Sequence, residues 1–405
     1  MSTFQGTVGE IPGICIDEFQ GENSKSSAFF LSHCHSDHMA GLSFSFFSKL
    51  KKSNRYLYCS HISKSFLKSI YLDSSANIES QVIELAVDEP HIIDYTLSDG
   101  NKSSVTVSCV PAGHCPGSVM FLFTLKCARI LYTGDFRINV EDFSRLRSLH
   151  FNDKTQCIPL TIDKLYLDTT FLNPKFRKFP SRIESSKALC EAVESWLKVH
   201  PNNIVHIEIS ANYGSEFLFM DLAKNLSARI HVKDRVYDVY SKMEFIAGIV
   251  TNKPQSTRIH ACMNKMHSMQ DGAQLKCRPE VSPQHILTIV PSVMRWAGRK
   301  TFAVIERDDA RRRVYVCYST HASLLELESF VQYFKPKEIF PCVCNGKDEK
   351  KRMEDMLREI GERGQDCHDS PPSKKSKIMI SQHKTFTPGA FKSQLLSDEE
   401  SSDSS

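Results

Sequence analysis

Three imidazoles and a carboxylate fall within the stretch Ser32-His33-Cys34-His35-Ser36-Asp37-His38. Neutral imidazole nitrogen and carboxylate oxygen are the usual ligands of zinc and similar borderline divalent ions. On a loop, His33 and His35 can point one way and Asp37 and His38 another, which suits two neighbouring ions better than one. Two further segments add ligands of the same kind. Pro111-Ala112-Gly113-His114-Cys115-Pro116-Gly117-Ser118 is a turn that presents His114. Leu131-Tyr132-Thr133-Gly134-Asp135-Phe136 ends a strand on Asp135, whose two oxygens could bridge two ions. A lone His is more often part of a plain surface loop, and a cluster with two such matches argues against that reading. Asp17, in Ile14-Cys15-Ile16-Asp17, fits either a carboxylate that orients this loop or a surface Asp after a strand.

Short strands and tight turns must hold these residues. Up to about residue 160 the chain reads as strand-rich, with runs such as Ala28 to Leu31, Tyr56 to Tyr58, Val105 to Val107, Val119 to Phe123 and Ile130 to Tyr132, punctuated by Gly and Pro. From about 160 to 305, strand-like pieces (Lys164 to Leu167, Ile204 to Ile209) alternate with helix-like ones. Leu189, Val193, Trp196 and Leu197 recur at helical spacing in Ser186 to Val199, and Ser215 to Leu226 is similar. This alternation predicts an α/β unit. A strand returns at Val314 to Cys317, then helix-like Ser323 to Phe334, then a last helix at about Glu349 to Ile360. From 361 the chain is polar, rich in Ser and Lys, and reads as disordered.

The net charge is +4, and four of the acids, Asp398, Glu399, Glu400 and Asp403, crowd the last eight residues. A basic body permits a polyanionic partner such as nucleic acid. No apolar run is long enough to cross a membrane as a helix, and Met1 to Glu10 has no apolar signal region. The 14 cysteines lack a framework spacing, which suits a reducing compartment. Phe171, Phe176 and Phe179 interleave with Lys175, Arg177, Lys178 and Arg182; Arg295, Arg299 and Lys300 surround Trp296. Each set fits either a nucleic-acid track, with cations on phosphates and rings on bases, or a solvated basic face.

The His-x-His-x-Asp-His string, with Asp17 before it and His114 and Asp135 after it, resembles the metallo-β-lactamase superfamily. Phe29 to His35, Pro111 to Phe121 and Leu131 to Arg137 are similar to the Artemis-like branch of its β-CASP nucleases. Leu167-Asp168-Thr169-Thr170-Phe171 resembles that branch's first extra motif, and Ser319-Thr320-His321-Ala322-Ser323 its second. The resemblance implies an α/β fold: an αββα metallo-β-lactamase sandwich over 1–158 and 305–360, an inserted α/β β-CASP domain over 159–304, and a disordered C-terminal tail over 361–405. It implies a hydrolase, a metal-dependent DNA nuclease. His33, His35 and His114 would serve one ion and Asp37 and His38 a second, with Asp135 shared. Asp168 and His321 would pair beside the second ion, and Asp17, Asp37, Asp168 and His321 would take part in catalysis. Zinc would fill one or both catalytic positions, with Mg2+ or Mn2+ as the alternative at the second.

The activity so implied is 5′ exonuclease or structure-selective endonuclease action on hairpins and overhangs, in double-strand break repair by end joining or in crosslink repair. The setting would be the nucleus, as a monomer, with DNA as partner, end-joining factors reached through the short tail, and no membrane. RNA-cutting relatives carry a His at the third extra motif, where this chain places Val343. An RNA-processing β-CASP endonuclease, a catalytically inactive DNA-binding scaffold and a small-ester hydrolase are the competing readings. Ala322-Ser323-Leu324 stands where the family has Ser-Ser-Tyr, so a hydroxyl that would hold a terminal phosphate is missing.

A second metal set follows from the same resemblance. His231, His260, Cys262 and Cys277 match the positions of a structural zinc in Artemis-like proteins, a closed tetrahedral set with no position for water. Spacing alone favours unrelated core residues and a free thiol, because the gaps fit no standard zinc-finger pattern.

Overall fold

Neighbouring residues of a strand face opposite sides of its sheet. Phe30 faces a core with Ile14, Ile16, Tyr58, Phe121 and Tyr132, whereas Phe29 and Leu31 face another with Phe46, Phe47, Leu50 and Leu67. The structure, a computed structural model, describes residues 3–97, 99–152, 157–209, 211–262, 275–299 and 303–363. The strand of Phe30 belongs to a four-stranded sheet in the order Ile14–Ile16, Ala28–Leu31, Tyr56–Cys59, Val82–Glu84, parallel throughout. Parallel neighbours need crossovers. Helices Phe44–Lys52 and His61–Ile70 lie on two of them, capped by Ser43 and Ser60, whose side chains accept from the Phe46 and Ser63 backbone N–H groups. The strand-rich reading of this region passes over both helices.

A six-stranded sheet faces the first, in the order Glu338–Pro341, Lys164–Leu167, Arg129–Tyr132, Val119–Thr124, Lys102–Pro111, Pro90–Thr96. Phe30 meets Phe121 and Phe123 between the two sheets, ring centroids 5.2 Å apart in each pair. The far side of the six-stranded sheet, with Val110, Leu122, Leu131 and Leu165, packs on Leu327, Phe330, Val331, Leu357 and Ile360. Those residues lie on helices Leu324–Phe334 and Lys347–Arg363. Ser323 and Glu326 form a reciprocal capping box at the start of the first of these. Two sheets between two helical layers make the sandwich that the resemblance implies.

A seven-stranded sheet stands beside it: Val250–Thr251, Ile230–His231, Ile259–His260, Ile204–Ile207, Ile286–Pro291, Arg313–Val316, Ile305–Asp308. All neighbours are parallel except the last pair. Its core runs on into that of the first sheet's outer face, so Leu189, Val193, Leu218 and Val205 share a cluster with Phe29 and Phe47. Pairing carries the six-stranded sheet to Leu167 and the seven-stranded sheet to Val316, beyond the divisions at 158/159 and 304/305 drawn from sequence. The helix Lys347–Arg363 likewise runs past Ile360. Residues 364–405, with the polar stretch read as a disordered tail, and Lys300 lie outside the described residues.

Candidate metal centre

The ends of strands deliver the candidate ligands. Asp17 follows Ile14–Ile16, Ser32 and His33 follow Ala28–Leu31, and Asp168 follows Lys164–Leu167. Asp135 comes three residues after Arg129–Tyr132, His114 three after Lys102–Pro111, and His321 five after Arg313–Val316. Carboxyl ends of strands in α/β sheets are where loops are free to carry ligands. The turn before Asp135 requires its glycine: Gly134 has φ +52, and a Cβ there would lie 2.8 Å from Ser32 Oγ.

Hydrogen bonds set the direction of four rings. His38 Nδ1 donates to Asp17 Oδ2 at 2.9 Å, His114 Nδ1 to the Thr320 carbonyl at 3.0 Å and His321 Nδ1 to Asp168 Oδ2 at 2.9 Å. Ser32 Oγ gives its proton to Asp17, so it accepts from His33 Nδ1, 3.0 Å away. In its neutral form each ring therefore carries its proton on Nδ1 and a lone pair on Nε2. All four Nε2 atoms turn to Asp135. They lie 3.7 Å (His33), 3.6 Å (His114) and 3.9 Å (His321) from Oδ2, and 3.3 Å (His38) from Oδ1. The fifth ring approaches through its other nitrogen, with His35 Nδ1 3.0 Å from His114 Nε2.

Ligating histidines typically donate their second nitrogen to a carboxylate, carbonyl or hydroxyl in this way. His33, His38 and His114 are each 1% exposed, and the buried Nε2 atoms of His33, His35 and His38 have no hydrogen-bond partner among the described residues. Burial holds His33 and His114 well below the usual imidazole range and brings His35 to about 4, so these rings are neutral at physiological pH. Burial opposes charge on His38 too, but Asp135 and Asp17 outweigh it and raise that ring; Asp168 and Asp135 do the same for His321. Buried lone pairs converging on a carboxylate fit a divalent ion.

Potential ligand atoms of His33, His35, His114 and Asp135 lie within 4.8 Å of one another, and so do those of Asp135, Asp168 and His321. Asp37 is half-buried on the same loop, and its charge acts on His35, but it joins none of these sets. Asp17 is 3% exposed and takes the role of orienting carboxylate, also accepting from the Ser32 N–H and the Tyr132 hydroxyl. Cys34 and Cys115 are buried beside the ligands, and burial raises both thiols, Cys34 to about 12.

The seven-stranded sheet gathers a second set. His231 and His260 are directly paired across neighbouring parallel strands, and their Nδ1 atoms lie 3.1 Å apart. Cys262 Sγ is 3.3 Å from Cys277 Sγ, which is 3.5 Å from His260 Nδ1. Tetrahedral zinc with nitrogen ligands at about 2.0 Å separates them by about 3.3 Å. These four residues therefore already stand at the spacing of a common ion.

The basic segment divides. Lys175, Arg177 and Lys178 are exposed. Arg182 is half-buried, gives an N–H to the Arg137 carbonyl at 2.6 Å and lies over the Phe217 ring. Phe171, Phe176 and Phe179 pack on one another and on buried Trp296. They serve as a hydrophobic cluster, because rings at this spacing meet one another first. Arg295 and Arg299 both pair with Glu306. Ala322 and Ser323 are buried, and the Ser323 hydroxyl is committed to Glu326.

Residues 244–347 match the family model described as DNA repair metallo-beta-lactamase. The chain is 38% identical over 354 residues to protein artemis of Danio rerio, which covers 85% of this chain and 53% of that protein. It is 35% identical over 355 residues to protein artemis of Homo sapiens, covering 85% and 49%. It is 30% identical over 363 residues to the DNA cross-link repair 1A protein of Homo sapiens, covering 86% and 31%. Residues 244–347 thus match the DNA repair metallo-β-lactamase family, and most of the chain is similar to these DNA repair relatives. The chain spans about half the length, or less, of these curated relatives.

The metallo-β-lactamase fold implies binding of divalent metal, and the convergent imidazoles and Asp135 are this chain's candidate residues for it. Several supports of this candidate metal centre escape sequence reading. Tyr132 reaches Asp17 only because the two sheets face each other, and the Thr320 carbonyl carries no side-chain signal at all. Thr170 donates to Asp168 Oδ1 from both its N–H and its hydroxyl, and Arg137 joins Glu326 to the Ser319 and Pro180 carbonyls. A Thr two residues after an Asp is a turn signal that could have been read.

Proposed function

We propose that this protein is a metal-dependent DNA nuclease that hydrolyses phosphodiester bonds at DNA ends, hairpins and overhangs. The observation that carries the reading is the ring of four imidazoles whose Nδ1 protons are tied down and whose Nε2 atoms turn to Asp135. The family's description as DNA repair proteins and the name of the cross-link repair relative support DNA as substrate. Double-strand break repair by end joining, or crosslink repair, in the nucleus is the setting proposed. Proposed end-joining partners would be reached through the tail.

His33, His35, His114 and Asp135 would hold one ion, and Asp37 and His38, with Asp135 shared, a second. Divalent ions so held would supply Lewis acidity toward water and toward a phosphate oxygen. Zinc is the proposed occupant, with Mg2+ or Mn2+ as the alternative at the second position. The protein's own residues do the rest. Asp17 fixes the tautomer of His38 and, through Ser32, of His33. Asp168 fixes that of His321, accepting from its Nδ1 at 2.9 Å, and so leaves Nε2 facing Asp135 at the proposed centre. His231, His260, Cys262 and Cys277 would hold a structural zinc. Lys175, Arg177 and Lys178 would neutralise phosphates; Arg182 would act behind them on the Arg137 backbone.

Val343 supports DNA over RNA. Its N–H and carbonyl both bond to the Thr169 hydroxyl, which puts it next to Asp168, where RNA-cutting relatives carry a His. The test is a side-by-side digest of a DNA hairpin and an RNA hairpin of the same sequence with zinc, magnesium and manganese. Metal-dependent cleavage of the DNA is expected. Cleavage of RNA alone would overturn the substrate assignment, and cleavage of neither with any metal the activity.

A further inference from the structure

Among the five imidazoles at the centre, His35 is held differently. The other four each donate Nδ1 to a fixed acceptor. His35 turns Nδ1 inward to His114, and its outer nitrogen, Nε2, is buried without a partner among the described residues. Apart from that contact with His114, no hydrogen bond among the described residues orients it, and packing must do the rest. What packs on it is the backbone of Gly214, in the loop after Ile204–Ile207 of the seven-stranded sheet. A Cβ at Gly214 would stand 2.2 Å from His35 Nε2 and 2.8 Å from Cε1, and φ there is +105. Only glycine lets the chain come this close in this conformation.

One side chain holds that turn in place. The Gly214 N–H donates to both oxygens of Glu216, at 2.9 Å each, and the Tyr240 hydroxyl donates to Glu216 Oε1 at 2.7 Å. Glu216 is 1% exposed and has no ion pair with a described residue. Burying a carboxylate without a cation is costly, and here three hydrogen bonds offset part of that cost. Tyr213 and Tyr240 pack edge-on against each other and on Phe66, from helix His61–Ile70. The turn is thus clamped to the sandwich beside the ligand loop.

We propose that Glu216 is a positioning residue for the metal centre, seating the Gly214 turn on the His35 imidazole so that its Nδ1 faces the position of the ion that His33, His114 and Asp135 would also hold. The inference rests on the metal-centre reading above. It gives the seven-stranded sheet a part in building a ligand set otherwise carried by the sandwich. It also accounts for a buried acid that the proposed chemistry does not use.

The test loads Co2+ and follows its visible spectrum, in which thiolate-ligated cobalt at Cys262 and Cys277 is separated by its charge-transfer band. Affinity of the nitrogen- and oxygen-ligated centre is measured by competition with a chelator, well below the melting temperature. Supports behind metal ligands typically contribute about 10- to 100-fold in affinity. Gly214→Ala and Glu216→Ala should fall by that order, and Glu216→Gln, which keeps the size and one acceptor, by less. Leu222→Ala, a core truncation in helix Glu216–Leu226, should lower the melting temperature and leave the affinity unchanged. Affinity within twofold of wild type in both Gly214→Ala and Glu216→Gln would overturn the proposal, as would an equal loss in Leu222→Ala. Should Gly214→Ala not fold, Glu216→Gln against Leu222→Ala decides. His33→Ala separates the two readings: if it too keeps full affinity, the metal-centre reading has failed.

Discussion

Asp17 shows how much one side chain can organise. It sits in a left-handed conformation, φ 57, at the end of the first strand, and meets His38, Ser32 and Tyr132 at once. Asp17→Asn keeps the shape and removes an acceptor from His38. Metal affinity should fall about 10- to 100-fold, measured by chelator competition, while the fold persists. His35→Ala and Asp37→Ala should abolish cleavage with little change in the far-ultraviolet dichroism, since neither residue fills a core. Wild-type turnover in either variant would remove that residue from the reaction. At this scale the sequence is legible where chemistry and spacing coincide, as in His33 to His38. It is silent on Tyr132, whose role arises only when two sheets stack.

Strand ends are the elements that matter. Ala28–Leu31 and Lys164–Leu167 have bounds that can be read directly from their apolar runs and the polar residues that stop them. Helices Phe44–Lys52 and His61–Ile70 do carry helical spacing, in Phe46, Phe47 and Leu50 and in Ile62, Phe66, Leu67 and Ile70, but they are short and sit between strands, so a strand-rich reading passes over them. The sheet divisions are not written locally either: Arg313–Val316 joins the seven-stranded sheet through pairing with Ile286–Pro291, and no composition change marks it. Two predictions belong here. Cys262→Ser should lower the melting temperature and shed one zinc per chain, with the His33 centre still loaded, because the proposed ion ties a loop to two strand ends. An unchanged zinc count would make these four residues ordinary structure. Lys175→Glu with Lys178→Glu should weaken DNA binding and flatten its salt dependence by about two units of slope, read from titrations at several salt concentrations. Unchanged affinity would place the segment of 3-10 turn Pro174–Phe176 off the DNA path.

As a whole, the molecule places its candidate centre where loops from two sheets of a sandwich meet the loops of a third sheet. His321 follows the third sheet, yet bonds to Asp168 at the end of a sandwich strand. Activity should therefore depend on the two parts being held together, and the buried Arg137 guanidinium, which donates to the Ser319 carbonyl at 2.9 Å in the loop after the third sheet, is one such tie. The most direct measurement takes the whole chain, stripped of metal by chelator and then reloaded, and follows strand cleavage of a labelled DNA hairpin. The expected result is no cleavage when stripped, recovery on return of zinc, magnesium or manganese, and no recovery in Asp37→Ala. Cleavage that survives removal of the metal, or that Asp37→Ala performs as well as wild type, would contradict a metal-dependent nuclease centred on Asp135.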